Sequence, residues 1–157
     1  MWSTLIAVLG TLAGAALASL TAHWTDRRAR DAEYRQRVLD ATAQLLAAAL
    51  EYRQQYWIQV ADLRDGVPLG REARVELYRA RSAVTQAFDR MALTAADSDL
   101  TAIAVEVAWS AIDLGDIPLG DVRDGRFGDD IEGALAAGRE RSRDAHTALR
   151  DAARALS

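Results

Sequence analysis

The sequence predicts an all-α protein in which an N-terminal transmembrane helix continues into an up-down four-helix bundle. Three observations predict it. Residues 1–25 contain no Asp, Glu, Lys or Arg. No Gly or Pro interrupts the chain between Gly14 and Gly66. Beyond Val38, apolar residues recur at three- and four-residue steps in four stretches separated by breaks rich in Gly and Asp.

Composition sets limits before any element is placed. A chain of 157 residues fits one domain plus an appendage. Its net charge of -4 gives no overall basic field, so direct nucleic-acid binding is not expected. The absence of Cys excludes thiol catalysis, disulfides and thiolate metal sites. All 19 basic residues are Arg, and Ala, Arg and Leu together favour helix almost everywhere.

The first element is an anchor over residues 2–25. The 22 steps from Trp2 to Trp24 amount to about 33 Å of helix, against a hydrocarbon core of about 30 Å. A Trp at each end suits the two interfaces. A cleaved signal peptide ending near Ala16-Leu17-Ala18 is a competing reading, as is a buried core helix. Charge favours the anchor: no Arg precedes the apolar run, whereas Arg27, Arg28 and Arg30 follow it. That asymmetry puts the N-terminus outside and the following domain in the cytoplasm, in a single pass through the cell membrane. Gly10, Gly14 and Ala18 offer a small-residue face for close helix pairing, so a homo-oligomer is expected.

Residues 26–37 form a charged juxtamembrane arm. Asp26 with Arg30, Asp31 with Arg35 and Glu33 with Arg37 stand acid-first at i,i+4, which supports a helix running unbroken to about residue 64. Arg27, Arg28 and Arg30 also suit contact with anionic headgroups. The bundle, residues 38–157, then begins. Val38, Leu45, Ala49, Tyr52, Tyr56 and Leu63 make one stripe, and Leu39, Leu46, Leu50 and Trp57 a second. The run Leu45 to Leu50 is apolar all round, which implies neighbours on several sides.

Asp65 to Gly70 is a turn, and the second helix covers about 71–96. Asp97-Ser98-Asp99 supplies an N-cap for the third, about 99–114. There Glu106, Ser110 and Asp113 form one polar line and Val105, Trp109 and Ile112 fill the apolar remainder, so this helix should be the most buried. Residues 114–128 read as a solvated loop. Aligning it to a calcium loop on Gly125 puts Gly120, Val122 and Ile131 at ligand positions, so the match fails. The fourth helix covers about 129–156, with Gly138, Ser142 and Ala145 leaving room for bulky partners such as Trp57, Phe88 or Trp109.

No nucleotide-binding, nucleophile-elbow or zinc-protease motif occurs, so no enzymatic activity, cofactor or metal is expected. Tyr56, Trp57, Phe88 and Trp109 are candidates for lining a ligand pocket, which leaves a membrane-tethered sensor of a small apolar ligand or lipid as the alternative to a scaffold or adaptor.

The stretch from Leu5 to Ala15 (LIAVLGTLAGA), followed by His23 and the Arg-rich arm, resembles a group of small actinobacterial proteins described as KilB-like. The resemblance is strongest over about residues 5–60. It implies a membrane-associated helical protein linked to plasmid transfer and spread, engaging an unidentified protein partner, and it carries no catalytic residues. The anchor predicts that the protein stays in the membrane pellet after a high-salt wash of fractionated cells; release by salt alone would sink it.

Overall fold

The computed structural model describes the backbone of residues 2–156 and the side chains of residues 23–156. Among them the regular elements are four helices: α1 (Trp2–Arg64), α2 (Arg71–Thr94), α3 (Ser98–Gly115) and α4 (Asp129–Arg154). The chain divides into two compact units, residues 1–36 and 37–157. Among the described residues no helix is long and apolar enough to cross a membrane. The side chains of Trp2, Gly10, Gly14 and Ala18, on which the anchor reading rests, lie outside the described residues.

In the first unit, the described side chains from His23 to Gln36 are exposed. The three expected acid-to-Arg ion pairs do not form there. Arg35 instead donates from Nε to the backbone carbonyl of Asp31 at 3.3 Å. Holding two long exposed side chains together gains little in high dielectric.

In the second unit, α1 gives the core one face: Val38, Leu45, Ala49, Tyr52, Tyr56 and Val60 are buried. Two apolar clusters form on it. The larger joins Leu45 and Tyr52 to Val84 and Met91 of α2, six or more residues of α3 that include Leu100 and Val107, and Ala145 and Leu149 of α4. The smaller joins Tyr56 and Val60 to Leu114, Phe127 and Leu135. Within Leu45–Leu50, Leu45 and Ala49 are buried, Leu46 and Ala48 pack against the larger cluster, and Ala47 and Leu50 face outward. The buried face of α1 meets the other three helices through these clusters.

α3 starts on Asp97, whose carboxylate accepts from the Asp99 and Leu100 N–H groups, satisfying donors a helix start leaves open. Eight of its 18 residues are buried, against two in α2 and five in α4. Its outward sector is wider than the polar line, however. Val105 and Trp109 share it with Glu106 and Asp113, while Ser110 is buried. Gly138 of α4 has Leu114 and Ile117 beside it, the nearest atom 2.9 Å from where a Cβ would sit, and Ala145 lies in the larger cluster, against which Phe88 packs.

Residues 116–128 are not simply solvated. Phe127 is buried and Ile117, Leu119 and Val122 pack around it, closing one end of the bundle. The loop folds back through a two-residue turn between Arg123 and Arg126, whose backbones exchange bonds of 2.8 and 3.0 Å. Asp124 and Gly125 take the positive φ values, 51° and 74°, that such a turn requires.

Gly115 sits so close to the buried Tyr52 that a Cβ would fall on the Tyr52 hydroxyl. Gly133, inside α4, has open space around it. Gly115→Ala should therefore cost roughly 1–3 kcal/mol through overpacking, whereas Gly133→Ala should gain roughly 0.5–1 kcal/mol. Urea unfolding of both variants checks this, and a Gly115→Ala variant as stable as the parent would show that the Tyr52 contact is not restrictive.

Candidate functional site

The side chains singled out by sequence do not converge. Trp24 is 65% exposed, and Arg27, Arg28 and Arg30 are exposed beside it in the first unit. The four candidate pocket aromatics are spread over both clusters and the surface. Tyr56 is buried with Trp57 edge-on to it at 6.0 Å, Phe88 packs on the larger cluster, and Trp109 is 52% exposed. Of the four, Trp57 lines a groove between α1 and α4 and the other three do not. Burial, with smaller contributions from Tyr52 and Asp116, pushes the Tyr56 hydroxyl up to about 12, so it stays protonated at neutral pH.

Charged side chains on the bundle fall into two groups. On one side they are matched. Arg141 of α4 reaches Glu106 at 2.7 Å and Asp113 at 3.2 Å, so the polar line of α3 forms the seam with α4. Arg81 of α2 forks onto the Asp116 carboxylate, its second bond 2.9 Å long. Such exposed pairs fix register more than they stabilise, at about 0.2–1 kcal/mol each.

The α1/α4 side is different. A groove of about 510 Å³ opens there, with Trp57, Leu135 and Ala136 among its apolar lining and Arg64, Arg139 and Arg143 among its cations. The spacing puts these residues on one side: Arg53, Trp57 and Arg64 recur at four and seven residues along α1, and Arg139 and Arg143 at four along α4. Arg139 lies over the Trp57 ring, 5.4 Å from its centre. Arg64 is held by Glu132 at 2.6 Å, and the other oxygen of that carboxylate accepts from the Phe127 N–H at 3.1 Å. Glu132 thus ties the end of α1, the loop and α4 together, and it makes no ion pair with Arg53, Arg139 or Arg143.

Among the described residues Arg53, Arg139 and Arg143 have no carboxylate within ion-pairing distance, and Arg53 reaches only the Ser142 carbonyl at 3.5 Å. The Nε of Arg53, the Nε of Arg64 and the Trp57 indole N–H are buried without an acceptor. Each such donor costs about 1–3 kcal/mol. Burial first, then the neighbouring Arg143 and Arg139, pulls the Arg53 guanidinium below its ordinary value. His146, one turn beyond Ser142 on α4, is pulled down by burial first, then by Arg53 and Arg150. Sequence reasoning treated Trp57 as a pocket aromatic and did not single out this cationic row. The four-residue spacing of Arg139 and Arg143 was visible, but their lack of partners is a property of the packed bundle.

Among the described residues no group of three or more His, Asp or Glu could hold a metal ion. The fold and surface define a helical-bundle protein whose features of interest are faces rather than an enclosed site. The chain belongs to the KilB plasmid transfer protein family, whose model matches residues 39–157. Protein KilB of Streptomyces lividans is 44% identical over 88 residues, covering 54% of this chain and 59% of that protein. The match thus spans less than two thirds of the relative's length. No solved structure matches. The family match falls on the bundle, downstream of most of the stretch that suggested the resemblance.

His146 gives the site a pH signature. Its folded-state value is depressed, so the unfolded chain takes the proton first, and the stability present above about pH 6.5 is lost as pH falls through the folded value. Urea midpoints at about pH 7.5 and pH 5 should therefore differ less in His146→Gln than in the parent. Equal differences would remove His146 as a source of acid sensitivity.

Proposed function

We propose that this protein is a membrane-anchored adaptor of a plasmid-transfer assembly. In this reading residues 2–25 hold it in the cell membrane with the N-terminus outside. The bundle lies in the cytoplasm, two copies pair along α1, and the bundle engages another protein without catalysis. The family's description supplies the link to plasmid transfer. The charge-free N-terminal stretch with its Arg-rich flank supports the anchor and its direction.

The observation that carries the adaptor reading is the outer face of α1. Ala43, Ala47, Leu50, Ile58 and Ala61 are exposed at helical spacing, interrupted by Gln54, on the side away from the filled core. Leu50 and Ile58 are 50% and 52% exposed. Single exposed apolar residues need no explanation, but a row of them along one helix suits a second helix. Small and large residues follow one another along it, so two copies side by side can interdigitate.

The natural chain has no Cys, which makes the pairing testable. Leu50→Cys in membranes should oxidise to a disulfide-linked dimer, because facing Cβ atoms come within about 3.5–4.5 Å. Gln86→Cys, exposed on α2, should stay monomeric. A Leu50→Cys protein that crosslinks no better than Gln86→Cys would overturn pairing through α1.

A further inference from the structure

The α1/α4 groove holds more hydrogen-bond donors and positive charge than the bundle itself answers. Its one carboxylate with a buried role, Glu132, is committed to Arg64 and the Phe127 N–H. Glu140 stands on the rim and makes no ion pair among the described residues. Arg53, Arg139 and Arg143 crowd one another unpaired, and two buried donors of α1, Arg53 Nε and Trp57 Nε1, point to no acceptor. Like charges gathered in a chain of net charge -4 are a local arrangement, not a consequence of composition.

We propose that this groove docks an acidic amphipathic segment of a partner protein, its carboxylates pairing with Arg139 and Arg143 and its apolar side chains lying on Trp57 and Ala136. The proposal rests on the adaptor reading and names the chemistry of the partner. Three features select this occupant. Arg139 and Arg143 stand one helical turn apart, which matches carboxylates at i,i+4 on a facing helix better than a single small anion. The lining mixes apolar surface with guanidiniums, as an amphipathic helix requires. Arg139 and Arg143 span one turn of α4, a basic track too short for the successive phosphates of a nucleic-acid backbone. Guanidiniums suit the task because each can grip a carboxylate with two parallel bonds.

The test uses the full chain in mild detergent. The probe is a short fluorescein-labelled helical peptide with Glu at i,i+4 and Leu on the adjoining face; a second peptide carries Gln in place of every Glu. By fluorescence anisotropy at low salt, the Glu peptide should bind at least about tenfold more tightly than the Gln peptide. Arg139→Gln with Arg143→Gln should lose about tenfold, while Arg74→Gln, exposed on α2, should bind like the parent. The bound peptide should also raise the NMR titration midpoint of His146, because its carboxylates offset the nearby Arg53 charge. Equal binding of the two peptides, or an unaffected double variant, overturns the proposal. So does displacement of the peptide by inorganic phosphate or a single-stranded oligonucleotide at the peptide's own concentration, which would mark a free-anion or nucleic-acid site. A chain that dimerises through Leu50→Cys yet ignores the Glu peptide loses the groove and keeps the adaptor reading. One that binds the peptide but neither crosslinks nor stays in washed membranes keeps the groove and loses that reading.

Discussion

The bundle depends on covering one face of α1. From Val38 to Val60 that face supplies both apolar clusters, Leu45 and Tyr52 to one and Tyr56 and Val60 to the other. The remaining helices answer it unequally. α3 brings eight buried residues, α4 five and α2 only Val84 and Met91. α2 is accordingly supplemented by polar ties: Gln59 donates to the Ala73 carbonyl at 2.9 Å, Arg90 donates to Gln44 at 2.8 Å, and Arg81 grips Asp116. Polar ties of this kind set register for little net energy. The helix with the fewest buried residues is thus tied to its neighbours by directional contacts as well.

The same constraint explains what remains on the outside. Once the inner face of α1 is committed, Leu50 and Ile58 are left half exposed, and the wide outward sector of α3 leaves Trp109 half exposed as well. Packing also sorts the charges. Where acids face the Arg side chains, as Glu106 and Asp113 face Arg141, the seam between helices is neutralised. Between α1 and α4, Glu132 is committed to Arg64 and the Phe127 N–H, and Glu140 makes no ion pair among the described residues. The cationic row is therefore left over after the bundle has satisfied itself.

Periodicity made the helices and the α1 face legible, because a buried stripe at 3.6-residue spacing has one physical explanation in a compact chain. The Asp97 cap was legible for the same reason: few residue types satisfy an open helix start. Three features were not. Phe127 lies in a stretch whose Gly and Asp content signals a turn, and composition cannot show that one aromatic from such a stretch plugs the bundle. Trp109 reads as core by hydrophobicity, although its azimuth on α3 places it outside. The unpaired state of Arg53, Arg139 and Arg143 depends on which acids other elements have already claimed, and that is settled only in three dimensions.

The span of the family match bears on where function resides. It covers residues 39–157, nearly all of the second unit, and stops short of the stretch from Trp2 to Thr25. The family match therefore falls on the bundle, the unit that holds the α1 outer face and the α1/α4 groove. These two faces differ in kind. The first is apolar and exposed; the second is rich in guanidiniums, with Glu132 committed to Arg64 and Glu140 in no ion pair among the described residues. Around its circumference α1 thus buries one face in the core, exposes a second and shares a third with α4.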